Sequence, residues 1–299
     1  ESAKVDWPDI DAIAVTQGPG LSGSLLIGVL TARTLAIAKK LPLYSINHVE
    51  AHVYANFITT SALPGYALPA KQPSFPLLAL IVSGGHTQLV LFRDHFDYTV
   101  LGQTLDDAVG EAFDKVAKIL GLPFPGGPSV AKAAVKGDPT SVKLPKPRFS
   151  VTGQTSHTAK SQFDFSYSGL KTAVLRAAQE MAGQDYTFPS HQLFKVLKTV
   201  QKQDLAASFQ ATAVGMLIDR LKAAAVEFKP RSIVIAGGVA ANQHLREAAD
   251  KLSPAPIYTD TRLCTDNAAM VAALGYYTAS RQRPAADPYT LEIAPDLQM

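Results

Sequence analysis

What most constrains this chain is a repeated local plan: short apolar runs that end in glycine-rich turns and give way to helical spacing. Residues 11–16 (DAIAVT) end in QGPGLSGS, and apolar positions then recur at helical spacing from 25 to 38. Residues 77–82 (LLALIV) read as a buried strand that turns at Ser83-Gly84-Gly85. HTQLVLF returns as a second strand, with strand character continuing to 101. Residues 232–236 (SIVIA) lead into GGVAAN and a helix to about 251. Strands alternate with helices and one hairpin interrupts them, so the fold class is mixed α/β.

Further elements fill the intervals. Residues 43–46 are a short strand, and Asn47 is the expected N-cap of a helix. Residues 59–74 hold Pro64, Gly65, Pro69 and Pro73 and read as a connector. Asp106 or Asp107 is expected to cap a helix running to about 120, and FPGGPS leads to another near 130–136. Residues 168–181 and 205–228 are expected helices, 257–258 a short strand, and Asp266 the cap of a last helix to about 280. The polar stretch 137–165 is expected to be a surface excursion.

Bulk properties narrow the classes. The 299 residues suffice for one large or two medium domains, and 47% hydrophobic against 18% charged residues is a globular profile. A net charge of +3 is too small to imply nucleic-acid binding by itself. The single cysteine, Cys264, excludes an internal disulfide. The best membrane-span candidate, 24–38, carries Thr31, Arg33 and Thr34, so no span is expected.

Two features carry chemistry. The first is the set of four glycine loops, QGPGLSG, SGGHT, FPGGPS and AGGVAAN. Backbone N–H groups in such loops hold phosphates, and four in one chain favour a nucleotide or other phosphate ligand. None matches the dinucleotide or P-loop pattern. The second is INHVEAH, in which His48 and His52 lie four apart. On a helix they share a face and can bind one metal, or they are two ordinary histidines. Glu50 is turned about 200° from His48 at helical periodicity, which makes it a poor base for a metal-bound water and argues against a protease. A third ligand is then required; Asp266 is the best candidate by type, with Cys264 as a rival.

Six motifs in order, NHVEAH, LIVSGGHTQLV, GEAFDKVAKILGLPFPGGP, FDFSYSGLKTAV, AGGVAANQHLR and CTDNAAMVAA, resemble the TsaD/Kae/Qri family of tRNA threonylcarbamoyladenosine transferases, in its bacterial-type form. The resemblance implies an actin-like, Hsp70-like and sugar-kinase-like fold of two lobes around a nucleotide cleft. Residues 1–76 with 267–299 would form the first lobe and 77–266 the second. It implies transfer of a threonylcarbamoyl group from threonylcarbamoyl-AMP to N6 of the adenosine just 3′ of the anticodon, in tRNAs reading codons that begin with A. It implies one divalent metal, iron (Fe2+) favoured and zinc possible, on His48, His52 and Asp266. An adenine nucleotide or threonylcarbamoyl-AMP would meet Ile81, Val82, Ser83, Gly84, Gly85, Asp114, Gly127 and Asn242. No catalytic side chain is implied beyond these ligands.

The implied partners are tRNA, a TsaB-like paralogue, a TsaE-like ATPase and a TsaC/Sua-type synthase that supplies threonylcarbamoyl-AMP. The implied location is cytoplasmic, with no membrane. The chain departs from the pattern in three ways. It opens at Glu1 without the family's first strand and acidic phosphate turn, so the first lobe is expected to be truncated. Ala131 stands where many members carry aspartate. The basic 136–165 loop, with Lys143, Lys146, Arg148 and Lys160, is long for the family and a candidate tRNA contact. The competing readings are an actin-like-fold small-molecule kinase and an inactive scaffold homologue.

Overall fold

The computed structural model describes residues 5–60, 65–146 and 161–299. Contacts divide the chain into two compact units, residues 1–72 with 259–299, and residues 73–258.

The first unit begins with β1 (Ile13–Gly18), α1 (Ser22–Lys39), β2 (Leu43–Asn47) and α2 (His48–Tyr54). β1 and β2 pair in parallel, from Ile13 opposite Leu43 to Gly18 opposite Asn47. The right-handed crossover rule for such a pair is served by α1, which packs on β1 through Val29, Ala32 and Ala36. By length and composition α1 is apolar enough to cross a membrane, contrary to expectation. Its Arg33, however, donates to the carbonyls of Pro288, Tyr289 and Leu291, which are far away in sequence. Those bonds tie α1 to the C-terminal segment of its own unit.

The second unit holds β3 (Leu77–Val82), β4 (Thr87–Asp94), β5 (Asp97–Gln103), α3 (Val109–Leu120), α4 (Gly126–Ala134), α5 (Ser168–Met181), α6 (Leu193–Val196), α7 (Thr199–Phe228), β6 (Ser232–Ala236) and α8 (Gln243–Ala249). The sheet order is β5-β4-β3-β6. The β3–β4 and β4–β5 pairs are antiparallel, and β3–β6 is parallel. All six residues of β3 are buried, as expected of a central strand. Helix α3 buries Val109, Ala112, Phe113, Val116, Ala117 and Leu120, a three-and-four spacing that gives one apolar face, and stops at Gly121 with φ +67.

The chain then returns to the first unit with α9 (Ala268–Ser280). The segment after it closes over β1 and β2: Ala286 pairs with Leu43, and the Ala294 N–H donates to the Gln17 carbonyl. The boundaries expected at 76 and 266 fall at 72 and 258. The Ser74 N–H donates to Ser232 Oγ, and the Pro76 carbonyl accepts from Arg231, which ties 73–76 to β6. The Asp260 carboxylate accepts from the Ala67 N–H at 2.8 Å, and Arg262 donates to the Gly65 carbonyl and lies over the Tyr66 ring. Those contacts hold 260–262 in the first unit.

Two local expectations are corrected. Neither Asp106 nor Asp107 caps α3, whose N-cap is Ala108. Asp106 accepts instead from the Tyr167 and Ser168 N–H groups and both serine hydroxyls, Ser166 and Ser168, at the start of α5. Asp107 pairs with Lys115 at 2.6 Å. The helix placed near 130–136 begins at Gly126, inside the PGGP turn itself.

Candidate metal centre

Asn47 starts the site. Its Oδ1 accepts from the Val49 and Glu50 N–H groups at 2.9 and 3.2 Å, so α2 begins where the sequence places it. His48 and His52 then sit one turn apart, with ring centroids 4.9 Å from each other. The third member comes from the far end of the chain. Asn267 takes the N-cap of α9, accepting from the Met270 N–H at 2.8 Å, and its amide donates to the carbonyls of Leu263 and Thr265. Asp266 is therefore not the cap, contrary to expectation. Its Oδ1 lies 3.3 Å from His48 Nε2 and 3.5 Å from His52 Nε2.

The three ligand atoms lie within 4.8 Å of one another. His52 is buried at 4% exposure while Asp266 is 78% exposed, so the cluster has a dry wall and an open side. The His48 and His52 imidazoles hold the Asp266 carboxyl well below the usual carboxylate range, against the opposing effect of its partial burial. Asp266 is thus charged at neutral pH. Two imidazoles and one carboxylate with open positions suit iron(II) or zinc, so the residues fit the metal that the motif implies.

The other candidates fall outside the cluster. Cys264 is buried and its thiol donates to the Asp260 carbonyl at 3.6 Å. Glu50 is buried, and its Oε1 has no hydrogen-bond partner among the described residues. Burial pushes its carboxyl from 4.5 up to about 7, with the Arg283 charge opposing.

The ligand-turn residues lie in the second unit. Because β3 and β6 are parallel neighbours, residues 83–85 and 237–242 leave the same end of the sheet. In α/β sheets that carboxyl end is where ligands bind. The Ser83 carbonyl accepts from the Gly110 N–H at 3.2 Å, and Ser83 Oγ accepts from the His86 N–H at 3.1 Å. Gly84 and Gly85 face open space, as does Gly127. Ile81 and Val82 are fully buried, so only their backbone is available to a ligand.

Asp114 and Asn242 already have structural work. Asp114 Oδ1 accepts from the Gly126 N–H at 2.7 Å and so anchors the first turn of α4. Asn242 caps α8 through the Leu245 N–H at 3.1 Å and donates to Gln210 Oε1 at 3.0 Å. The first glycine loop, QGPGLSG, is packed at its start by the C-terminal segment, while Gly23 has nothing within 4 Å of an added carbon. A Cβ on Gly18 would strike the Ala294 carbonyl, and the Gly20 N–H donates to Pro295. In the basic loop, Lys146 pairs with Asp219 at 3.0 Å, while Arg148 and Lys160 lie outside the described residues.

Sequence reasoning missed two supporting glycines. A Cβ on Gly110 would lie 2.5 Å from the Ser83 carbonyl, so this glycine lets α3 seat the SGG turn. Gly237 has φ +92 and backs onto Val82. Each sits in a quoted motif or directly beside one, and that was the signal available.

Comparisons with known proteins agree with the motif order. Residues 1–273 match the family model described as TsaD, tRNA N6-adenosine threonylcarbamoyltransferase. A protein of that name from Thermomicrobium roseum is 48% identical over 94% of this chain and 75% of its own length. Relatives of the same name from Symbiobacterium thermophilum (93% of this chain, 73% of theirs) and Gloeobacter violaceus (90% and 70%) are 46% and 45% identical. The crystal structure of T. kodakarensis HypF aligns with a TM-score of 0.58 at 13% identity, over 91% of this chain and 41% of that one, which is a likeness of fold alone.

Proposed function

The chain belongs to the tRNA N6-adenosine threonylcarbamoyltransferase family, and from that premise we propose that it transfers a threonylcarbamoyl group from threonylcarbamoyl-AMP to N6 of the adenosine 3′ of the anticodon. The bonds balance simply. The N6 amine attacks the carbamoyl carbon, a C–N bond forms, the C–O bond to the AMP phosphate breaks, AMP leaves and the amine releases a proton. The observation that carries the reading is the meeting of NHVEAH with CTDNAAM: His48, His52 and Asp266 converge within 4.8 Å although 214 positions separate His52 from Asp266 (266 − 52).

One metal ion, iron(II) by preference and zinc as the alternative, would be held by those three side chains and would polarise the oxygens of the transferred group. The residues of the chain do the rest. The open backbone of Gly84, Gly85 and Gly127 lets an adenylate phosphate or ribose approach closely. Ser83 is fixed by Gly110 and His86, so the turn is set before ligand arrives. Asp114 has a second carboxylate oxygen beyond the one that anchors Gly126, suited to a ribose hydroxyl. Asn242 has its amide and its oxygen engaged, and we assign it the placing of the GGVAAN loop against the nucleotide.

We read the two units as the lobes of an actin-like fold. The partners in this reading are tRNA, a TsaB-like paralogue, a TsaE-like ATPase and a TsaC/Sua-type synthase, with a cytoplasmic location. Exposed Leu26, Ile27 and Leu30 on α1 support docking of the paralogue. The test is direct. The chain with its partners, threonylcarbamoyl-AMP and unmodified tRNA should yield the modified nucleoside by mass spectrometry. His48→Ala and Asp266→Ala should each lose metal and product. Full product formation by a metal-free His48→Ala protein would overturn the mechanism. A scaffold homologue has no need of this triad, and a kinase would instead transfer phosphate to a small acceptor.

A further inference from the structure

Two of the six motifs contribute lysines to which the proposed function gives no role. Lys115 and Lys118 come from GEAFDKVAK, and Lys171 comes from SGLKT. The fold brings all three to one cavity of 210 Å³, completed by Ile119, Leu175, Ser190 and His191. Lys115 is already matched by Asp107 at 2.6 Å and Glu111 at 2.9 Å. Lys118, in the last turn of α3, and Lys171, on α5, have no ion pair among the described residues.

Beside the cavity, past the Asp107 and Glu111 carboxylates that neutralise Lys115, lies a lysine-rich stretch of chain. Residues 186–203 (YTFPSHQLFKVLKTVQKQ) contain no aspartate or glutamate but hold Lys195, Lys198, Lys202 and His191. Asp185 and Asp204 bound the stretch on either side. The neighbouring α5 adds Lys171 and Arg176, with Glu180 in its last turn and the Asp106 carboxylate at its start. The single-turn α6 and the turn at Ser190–Gln192 pack on α3 and so join these stretches to Lys118.

An aromatic ring lies within the patch. Phe194 is 37% exposed and rests on Gly121, at the end of α3, where a Cβ would collide with its side chain. The Lys195 and Lys202 ammonium groups each lie 5.9 Å from its ring. Lysines with no ion pair among the described residues, gathered around an exposed ring, suit a polyanion whose units carry both phosphate and a flat base. A small phosphate metabolite would use the cavity alone and leave Lys195, Lys198 and Lys202 without a purpose.

We infer that the surface formed by the end of α3, the first half of α5, α6 and the start of α7 is an RNA-backbone track. It holds the tRNA backbone, with the Lys118–Lys171 cavity as a phosphate seat. The inference rests on the proposed activity for the identity of the RNA. Its consequence is that these lysines set tRNA affinity and its salt dependence, not the metal or the turnover of threonylcarbamoyl-AMP.

The experiment uses the full chain with its partners and an unmodified tRNA transcript, comparing wild type with Lys118→Glu/Lys195→Glu and with the milder Lys118→Gln/Lys195→Gln. Affinity is measured across a salt series, alongside metal content, melting temperature and KM for each substrate. The expected result is tRNA binding weakened by about tenfold or more in the reversal variant, and a salt slope shallower by about one per lost phosphate contact. The KM for tRNA should rise while the KM for threonylcarbamoyl-AMP and the metal content hold. An unchanged affinity and slope in both variants would overturn the inference, as would binding of wild type to anionic vesicles in preference to tRNA. If wild type binds tRNA with this slope but makes no product, the proposed reaction fails and the track stands.

Discussion

Asn267 takes the N-cap of α9 and leaves its neighbour Asp266 free to face His48 and His52. The cap is a division of labour between two adjacent side chains. Asn267 spends its oxygen on Met270 and its amide on Leu263 and Thr265, which fixes the backbone on which Asp266 is mounted.

Asn267→Ala should therefore weaken two things at once. Loss of the cap costs about 1–2 kcal/mol of stability. Asp266, no longer held, should bind metal more weakly in a chelator competition. Asn267→Asp keeps an oxygen for the cap and loses the amide donor, so it should recover most of the melting temperature but not all of the metal affinity. Equal metal affinity in wild type and Asn267→Ala would show that Asp266 is placed by something else.

Glu50 should make the fold sensitive to alkali. Its folded value of about 7 lies above its ordinary 4.5, so the folded protein holds the proton more tightly than the unfolded one. The stability it provides is full below about pH 4.5 and is lost as pH rises through 7. Glu50→Gln removes the ionisation. Relative to wild type, its stability should rise by up to about 3 kcal/mol toward pH 8 and show no gain near pH 4. Urea melts across that range read the difference; a difference flat with pH would disprove it.

Asp114 can be separated into its structural and ligand roles. Asp114→Ala leaves the Gly126 N–H without its 2.7 Å acceptor and should cost about 1–2 kcal/mol. Asp114→Asn retains an oxygen for Gly126, so it should melt near wild type. If the carboxylate also binds ribose, the asparagine variant should still show an elevated KM for threonylcarbamoyl-AMP. Wild-type kinetics in Asp114→Asn would confine the residue to anchoring α4.

Gly237→Ala should be among the most damaging single-methyl changes in the second unit. The position has φ +92, which an alanine adopts only with strain, and the added carbon would lie 2.9 Å from the Val82 carbonyl carbon. A loss of at least about 1–2 kcal/mol is expected in denaturant unfolding. The neighbouring Gly238 has nothing within 4 Å of an added carbon, so Gly238→Ala serves as the mild control.

Much of this protein was legible locally. β3 is six consecutive apolar residues, and α2 begins where Asn47 can cap it, because strand burial and helix capping depend on neighbours only a few positions apart. The histidine pair followed from helical periodicity alone. What the sequence by itself determined was therefore the α/β order of elements, the spacing of His48 and His52, and, through six motifs in order, the family.

Only the tertiary structure decided where long-range partners go. Asp106 looked like a cap for the helix after it, yet its carboxylate is spent on Ser166, Tyr167 and Ser168, about sixty positions away. QGPGLSG looked like an open turn throughout, yet the segment around Ala294 packs on Gly18 and accepts from the Gly20 N–H at Pro295. Asp266 looked like the cap of the last helix, yet α9 starts on Asn267. In each case one polar group had several possible partners of similar local merit. A hydrogen bond is short-ranged, so the choice falls to whichever group the packed chain brings within about 3 Å.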